Sequence, residues 1–442
     1  MRVLLISTYE LGRQPFGLAS PAAWLYALGH EVTCADLAVQ SLPEENVRRA
    51  DLIALYLPMH TATRLAVNAI AKIRSINSTA HLCGYGLYAP LNESYLRSLG
   101  VETILGGEFE PGLVSLASRV QDGDRTPQKD PLISLDRLQF QPLHRSALAP
   151  LDAYAKLRVD GVAKTVGYTE TSRGCKHLCR HCPVVPVYRG NFRVVQADIV
   201  IEDIRSQVAA GAEHITFGDP DFFNGPTHAM RIVEELHREF PNISYDATIK
   251  IEHLRKHRSL LPRLKETGCL FVTSAVESAD DRVLEKLDKG HTRADFIGVV
   301  REFRSLGLIL APTFIPFTPW TTRESYRELL ELLVELELVE NVAPVQLALR
   351  LLIPNGSPLL DLSDIQAVTT GFDEPALLHR WKHPDPLMDI LAHRALELAA
   401  TKEPRREVFR KIWNLIIDRP LAENFDLMPR ATIPYLDEPW YC

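Results

Sequence analysis

Three cysteines stand close together in the run Thr171-Ser172-Arg173-Gly174-Cys175-Lys176-His177-Leu178-Cys179-Arg180-His181-Cys182-Pro183, with three residues and then two between them. That is the spacing of metal ligands. Three thiolates on one short loop can each hold one iron of a 4Fe-4S cube, leaving the fourth iron without a protein ligand. An open iron binds something else, so the loop points to chemistry rather than electron storage. The competing reading is a closed zinc site on a non-enzymatic scaffold or regulator, in which Cys175, Cys179 and Cys182 are joined by His177 or His181. Arg173, Lys176, Arg180, Arg189 and Arg193 gather around the loop, either as a solvated face or as the surroundings of an anionic cluster.

The Cys-x3-Cys-x2-Cys pattern resembles the signature of the radical S-adenosylmethionine (SAM) superfamily. The resemblance implies that the open iron binds the amino and carboxylate groups of SAM, and that an electron from the cluster cleaves a carbon–sulfur bond. It also implies an external one-electron donor such as flavodoxin or ferredoxin. Residues 270–281, followed by Val283-Leu284 and Lys289-Gly290-His291-Thr292, are similar to the fourth-strand pattern of cobalamin-type members. There the acidic residue after the strand contacts SAM, which implies that role for Glu277. Gly218-Asp219-Pro220-Asp221 stands where members carry a Gly-Gly-Glu motif. The departure leaves Asp219 and Asp221 either as SAM contacts or as caps of the next helix. Ile353-Pro354-Asn355-Gly356-Ser357-Pro358 resembles the Pro-x-x-Gly-Thr turn after the last strand.

These residues need elements to hold them. From residue 163 to 354, apolar β-rich runs alternate with helical patterns: strands at 165–171, 214–217, 244–249, 270–276, 308–315 and 344–352, with helices between, including one at 252–267. Six such repeats make a partial TIM-type barrel whose working residues lie at the carboxyl ends of its strands. Thr248 and Lys250 end the third strand at that mouth.

Residues 1–120 alternate in the same way, with strands at 3–7, 31–34, 52–57, 81–84 and 103–105 and an amphipathic helix at 61–76. This is an α/β pattern for a doubly wound parallel sheet that binds ligands at its strand ends. Those ends carry Thr8, Tyr9, His60, Tyr85, Gly86, Gly107 and Glu108. The domain resembles the cobalamin-binding domain that precedes many radical SAM barrels, and Gly106-Gly107-Glu108 resembles its Gly-Glu turn. The Asp-x-His-x-x-Gly motif of base-off cobalamin proteins is missing. Cobalamin is therefore a possible third cofactor, beside the 4Fe-4S cluster and SAM. Residues 121–162, rich in Asp, Pro and Gln, read as a linker.

Residues 355–442 read as a helical region, with helices at 375–381, 387–399 and 406–417, ending in Cys442. The run 6–12, Tyr85-Gly86-Leu87-Tyr88-Ala89-Pro90 and this end resemble one radical SAM family named for a carboxyl-terminal Cys-Sec-Ala-Glu-Pro or Cys-Cys-Ala-Glu-Pro motif. The sequence stops at that motif's first cysteine. This implies a gene that continues through UGA as selenocysteine, and a catalytic part for Cys442 together with Glu277 and Lys250. The implied outcomes are hydrogen abstraction, methylation if cobalamin is bound, or 3-amino-3-carboxypropyl transfer, the last from a more distant resemblance to enzymes of arsinothricin synthesis.

Over 442 residues, 46% hydrophobic and 24% charged side chains describe a folded chain. A net charge of -7 speaks against a general nucleic-acid or membrane-surface binder, because counterion release needs a basic face. The first apolar run is too short for a signal peptide. A small-molecule substrate and a cytoplasmic, reducing setting are expected.

Overall fold

The computed structural model describes residues 1–421, 425 and 435–437. Cys442 lies outside the described residues.

The first sheet contains β1 (Arg2–Ser7), β2 (Glu31–Asp36), β3 (Leu52–Tyr56), β4 (His81–Tyr85), β5 (Thr103–Gly107) and β6 (Ile133–Ser134), in the order β2-β1-β3-β4-β5-β6. Every pairing is parallel. Runs such as Val3-Leu4-Leu5-Ile6 are apolar without alternation because helices cover both faces. Helix His60–Ile76 shows the complementary pattern, burying Ala62, Ala66, Ile70 and Ile73 on one side. Strand order reverses at β1 and β3, so the ligand crevice of such a sheet opens beyond Ser7 and Tyr56.

The stretch expected to be a linker is more structured than its composition suggests. It supplies β6 to the first sheet, and β7 (Leu157–Val159) and β8 (Val162–Lys164) form a hairpin beyond it. Asp160 and Gly161 both have positive φ, 50° and 80°, which a tight two-residue hairpin turn requires. Arg145, in the same stretch, is buried and forks onto Asp203 at 2.6 and 2.8 Å, fixing it to the second half of the chain.

The second sheet is built from β9 (Val166–Thr169), β12 (His214–Phe217), β13 (Ser244–Thr248), β14 (Cys269–Glu277) and β15 (Ile309–Phe314), all parallel, in the order β15-β14-β13-β12-β9. Between β9 and β12 lies a small antiparallel pair, β10 (Ser172–Gly174) with β11 (Phe192–Val194). The sixth strand expected at 344–352 does not form. Pro344–Leu347 is a 3-10 turn, and only a Phe317–Arg350 bridge pairs in parallel nearby. Side chains stand in for the missing ladder on β15: Gln346 Oε1 accepts from Phe314 N at 3.0 Å, and Asn341 Nδ2 donates to Leu310 O at 2.7 Å.

Two other expectations change. The helix expected at 252–267 breaks into Ile251–Lys256, a 3-10 turn and Leu261–Glu266, since Pro262 cannot continue a helix from the residues before it. The segment expected as a helix at 375–381 is instead part of a hairpin, β16 (Thr369–Asp373) with β17 (Leu378–Trp381). Leu377 takes a positive φ in the turn, and Arg380 pairs with Asp373 across it. Helices Pro386–Ala399 and Arg405–Asn414 follow and bury Met388, Ala392, Phe409 and Ile412 in the second sheet's core. A last strand, β18 (Tyr435–Leu436), returns to pair with β7. No helix among the described residues is long and apolar enough to cross a membrane.

Candidate functional site

The cysteine loop leaves β10 through Gly174, where φ is +75°. A Cβ there would lie 2.3 Å from the Tyr188 ring and 2.6 Å from Asn191 O, so only glycine admits this turn. The loop is then pinned from several sides. Lys176 N donates to Asn224 Oδ1 (3.1 Å), Arg180 N to Leu287 O (3.0 Å), and Ser357 Oγ to Arg180 O (2.8 Å). Ser357 belongs to the turn that resembles Pro-x-x-Gly-Thr.

Cys179 is buried, while Cys175 and Cys182 are partly buried against the apolar cluster of the first sheet. Burial pushes the Cys175 thiol up to about 11 and the Cys182 thiol up to about 12. Thiolates here need a metal to compensate their charge. A single zinc fits poorly. Ligand atoms around one tetrahedral ion with 2.3 Å bonds to sulfur stand roughly 4 Å apart, and among the described residues no group of three or more ligand residues within 4.8 Å of one another includes a cysteine. Both loop histidines also face carboxylates, His177 toward Asp221 and His181 toward Glu277. The donor set of three soft sulfurs spread along one pinned loop fits a cube.

Glu277 ends β14 with φ +70°, a left-handed conformation costly for a side chain of this size, just after a register shift against β15. Its Oε1 lies 3.1 Å from His181 Nε2 and 3.3 Å from Lys289 Nζ. Burial pushes the carboxyl up, but Lys289 and His181 outweigh it and hold it down at about 2. The carboxylate is therefore charged and held directly against the cysteine loop.

The other expected residues around the barrel mouth separate into two groups. Asp219 is fully committed to the root of the loop: Oδ2 accepts from Thr171 N (3.0 Å), and Oδ1 from Thr171 Oγ1 and Ser172 Oγ (both 2.6 Å). Asp221 faces His177 and His253, which override its burial and hold its carboxyl at about 2. Lys250 Nζ sits 2.9 Å from Glu252 Oε2. Thr248, by contrast, lines a cavity of about 480 Å³ that lies between the carboxyl ends of both sheets.

On the first sheet, Tyr9, Gly86 and Gly107 line that cavity. Thr8, Tyr85, His60 and Glu108 are tied into protein contacts instead. Thr8 Oγ1 donates to Ala62 O (2.7 Å), Tyr85 OH to Gly17 O (2.8 Å), and Tyr188 OH to Glu108 Oε1 (3.0 Å). His60 Nε2 lies 2.8 Å from Ala376 O in the β16–β17 turn, so its imidazole caps that hairpin.

Several site residues escaped the sequence reading. Arg173, one of the local basic run, turns away from the cysteines. It contacts Glu170 (2.8 Å), Glu110 (2.8 Å) and Glu108 (3.6 Å), and lies over the rings of Phe16, Phe109 and Phe140. Arg173, Glu170, Glu10 and Arg13 all line the cavity. Burial and the neighbouring Glu170 push the Glu10 carboxyl well above the usual carboxylate range, and its Oε2 makes no hydrogen bond. The signal was present in Thr8-Tyr9-Glu10, which leaves β1 at the reversal of strand order, but nothing in the sequence shows how deeply Glu10 is buried.

Residues 169–333 match the family model of the Radical SAM superfamily. An uncharacterized methyltransferase of Pyrococcus horikoshii is 28% identical over 226 residues, covering 51% of this chain and 47% of that protein. The hopanoid C-3 methylase of Methylococcus capsulatus is 23% identical over 357 residues, covering 77% and 68%. The chain thus spans about half the length of the first relative and two thirds of the second. The radical SAM methyltransferase TsrM from Kitasatospora setae shares the fold at 17% identity, with a TM-score of 0.67 over 91% of this chain and 89% of that one. The cobalamin-dependent radical enzyme OxsB shares it at 14% identity, with a TM-score of 0.68 over 94% and 70%. Residues 169–333 are thus similar to the radical SAM proteins, which work with a 4Fe-4S cluster and SAM, and they are preceded by a Rossmann-like region of the fold seen in those cobalamin proteins.

Proposed function

We propose that this chain is a radical SAM methyltransferase that uses cobalamin and acts on a small molecule held between its two sheets. The observation that carries this reading is the shared cavity, walled by Tyr9, Tyr56, Pro58, Met59 and Gly86 on the first sheet and by Thr248, Thr273 and Thr313 on the second. Reactants delivered from the two strand-end faces would meet there. Relatives named as methyltransferases support the same reading.

In this proposal Cys175, Cys179 and Cys182 hold the cluster, and Glu277, charged and fixed by Lys289 and His181, holds the amino acid end of SAM. Asp219 positions the loop through Thr171 and Ser172. When bound, cluster and SAM supply the one-electron cleavage of a carbon–sulfur bond, and cobalamin supplies a methyl carrier. The first-sheet wall is aromatic, apolar or glycine apart from Glu10, Arg13 and the tyrosine hydroxyls, with no imidazole in the lining among the described residues, which suits a corrin that receives no histidine from the protein.

A volume of about 480 Å³ is that of a site for one drug-sized molecule. Corrin and SAM together need more. Glu10, whose carboxyl burial and Glu170 push well above the usual range, lines the cavity beside Arg13, and Arg405 lines it too. The electron donor in this reading is a flavodoxin or ferredoxin.

The test is mass spectrometry of SAM fragments from anaerobically reconstituted protein with reductant, with and without cobalamin. Cobalamin-dependent S-adenosylhomocysteine is expected. Methylthioadenosine formed regardless of cobalamin would point to 3-amino-3-carboxypropyl transfer and end the methylation reading; 5′-deoxyadenosine alone would leave hydrogen abstraction.

A further inference from the structure

His177, Asp221 and His253 converge on one point beside the cysteine loop, and their ligand atoms all lie within 4.8 Å of one another. Asp221 Oδ2 is 2.7 Å from His253 Nδ1 and 3.5 Å from His177 Nε2, and the two Nε2 atoms are 3.3 Å apart. Four ligands at 2.0–2.1 Å around a tetrahedral ion stand about 3.3 Å from each other, and His177 Nε2 keeps close to that distance from both His253 Nε2 and Asp221 Oδ2. Asp221 is 2% exposed and His253 3%, and Asp221 Oδ2 holds His253 Nδ1 at 2.7 Å. With the Asp221 carboxylate on Nδ1, His253 keeps its Nε2 for the point it shares with His177 Nε2.

We propose that His177, Asp221 and His253 form a binding site for a divalent transition-metal ion, separate from the cysteines. The surroundings hold the donors in the form a metal needs. Asp221 Oδ1 accepts from Phe223 N at 3.2 Å, which fixes the carboxylate and leaves Oδ2 directed at the imidazoles. Glu252 Oε2 lies 3.4 Å from His177 Nδ1, and Lys250 anchors Glu252 at 2.9 Å. A carboxylate on one ring nitrogen leaves the other for the metal. Two imidazoles and a carboxylate select zinc or ferrous iron over magnesium or calcium, which take oxygen ligands.

The three donors come from the cysteine loop, from the turn after β12 and from helix Ile251–Lys256 after β13. An ion there ties the loop to two strand ends of the barrel, and makes His177 a ligand of a second metal from within the Cys-x3-Cys spacing. The site stands independently of the methyltransferase reading, because its occupancy is read without turnover.

The test uses full-length protein, reconstituted anaerobically with its iron–sulfur cluster and dialysed against micromolar zinc. Zinc and iron are counted by mass spectrometry, and the zinc shell is read by X-ray absorption. One zinc per chain beside a full complement of iron, with only nitrogen and oxygen ligands, is expected. His253→Ala and Asp221→Asn should lose the zinc and keep the iron, and Glu252→Gln should weaken zinc binding about tenfold. Absence of zinc from the wild type, sulfur in its shell, or zinc retained by His253→Ala would each overturn the proposal. The wild-type absorption spectrum decides even if a variant fails to fold.

Discussion

Glu277 and Lys289 form a buried ion pair, Oε1 to Nζ at 3.3 Å, with only 8% and 4% of their side chains exposed. Lys289 also lies in the field of Cys179 and Cys182. One cation therefore serves both the carboxylate at the end of β14 and the sulfurs of the loop. Lys289→Met leaves the buried Glu277 carboxylate with His181 beside it and no lysine, and should cost about 3–5 kcal/mol by denaturant unfolding. The double variant with Glu277→Gln should recover part of that loss. Strictly additive losses would show that the two side chains do not interact.

Removing any one of the loop cysteines should abolish the cluster. Cys175→Ala, Cys179→Ala and Cys182→Ala are each expected to emerge from anaerobic reconstitution without the brown colour and with little bound iron, while far-ultraviolet circular dichroism stays unchanged. A variant that keeps its full iron would exclude that cysteine as a ligand.

Asp219 accepts three hydrogen bonds from Thr171 and Ser172. Asp219→Asn turns at least one acceptor into a donor facing donors, so roughly 1–3 kcal/mol of stability should be lost. If Asp219 also holds SAM, the variant binds SAM more weakly even at temperatures where it is fully folded. Equilibrium binding at low temperature separates the two roles.

Arg173 joins the sheets by gathering Glu108 and Glu110 of the first with Glu170 of the second. Its fork contacts Glu110 through both terminal nitrogens, at 3.0 and 2.8 Å, a geometry lysine cannot reproduce. Arg173→Lys is therefore expected to destabilise the chain nearly as much as Arg173→Met. Equal stability of Arg173→Lys and the wild type would reduce the role of this residue to its charge.

Glu108 gives the chain a pH dependence of predictable sign. Burial pushes its carboxyl from the ordinary 4.5 to about 7, with Glu110 and Glu170 adding to the rise and Arg173 and Tyr188 opposing it. The folded form thus binds a proton that the unfolded form releases. That contribution is fully present below about pH 4.5 and is lost as pH rises to about 7. Glu108→Gln should flatten this part of the stability curve, measured by urea unfolding at fixed salt. An unchanged slope would mean that Glu108 is already ionised in the folded chain.

Apolar runs and cysteine spacing are local properties of the chain, so the alternation of strands and helices in both sheets and the clustering of Cys175, Cys179 and Cys182 were legible before any folding. The sequence also indicated Glu277, through the pattern around β14. Tertiary structure decided the rest. The sixth barrel strand gives way to side chains of Gln346 and Asn341, since an edge ladder can be satisfied by any correctly placed amide. Asp219 and Asp221 look alike in Gly218-Asp219-Pro220-Asp221, yet one braces Thr171 and the other meets two imidazoles. Partners 32 to 48 residues away set that difference, and no periodicity reports them. Burial of Glu10, Glu108 and Arg173 likewise arises only where the two sheets close on each other, since desolvation is a property of the packed whole and not of neighbours in sequence.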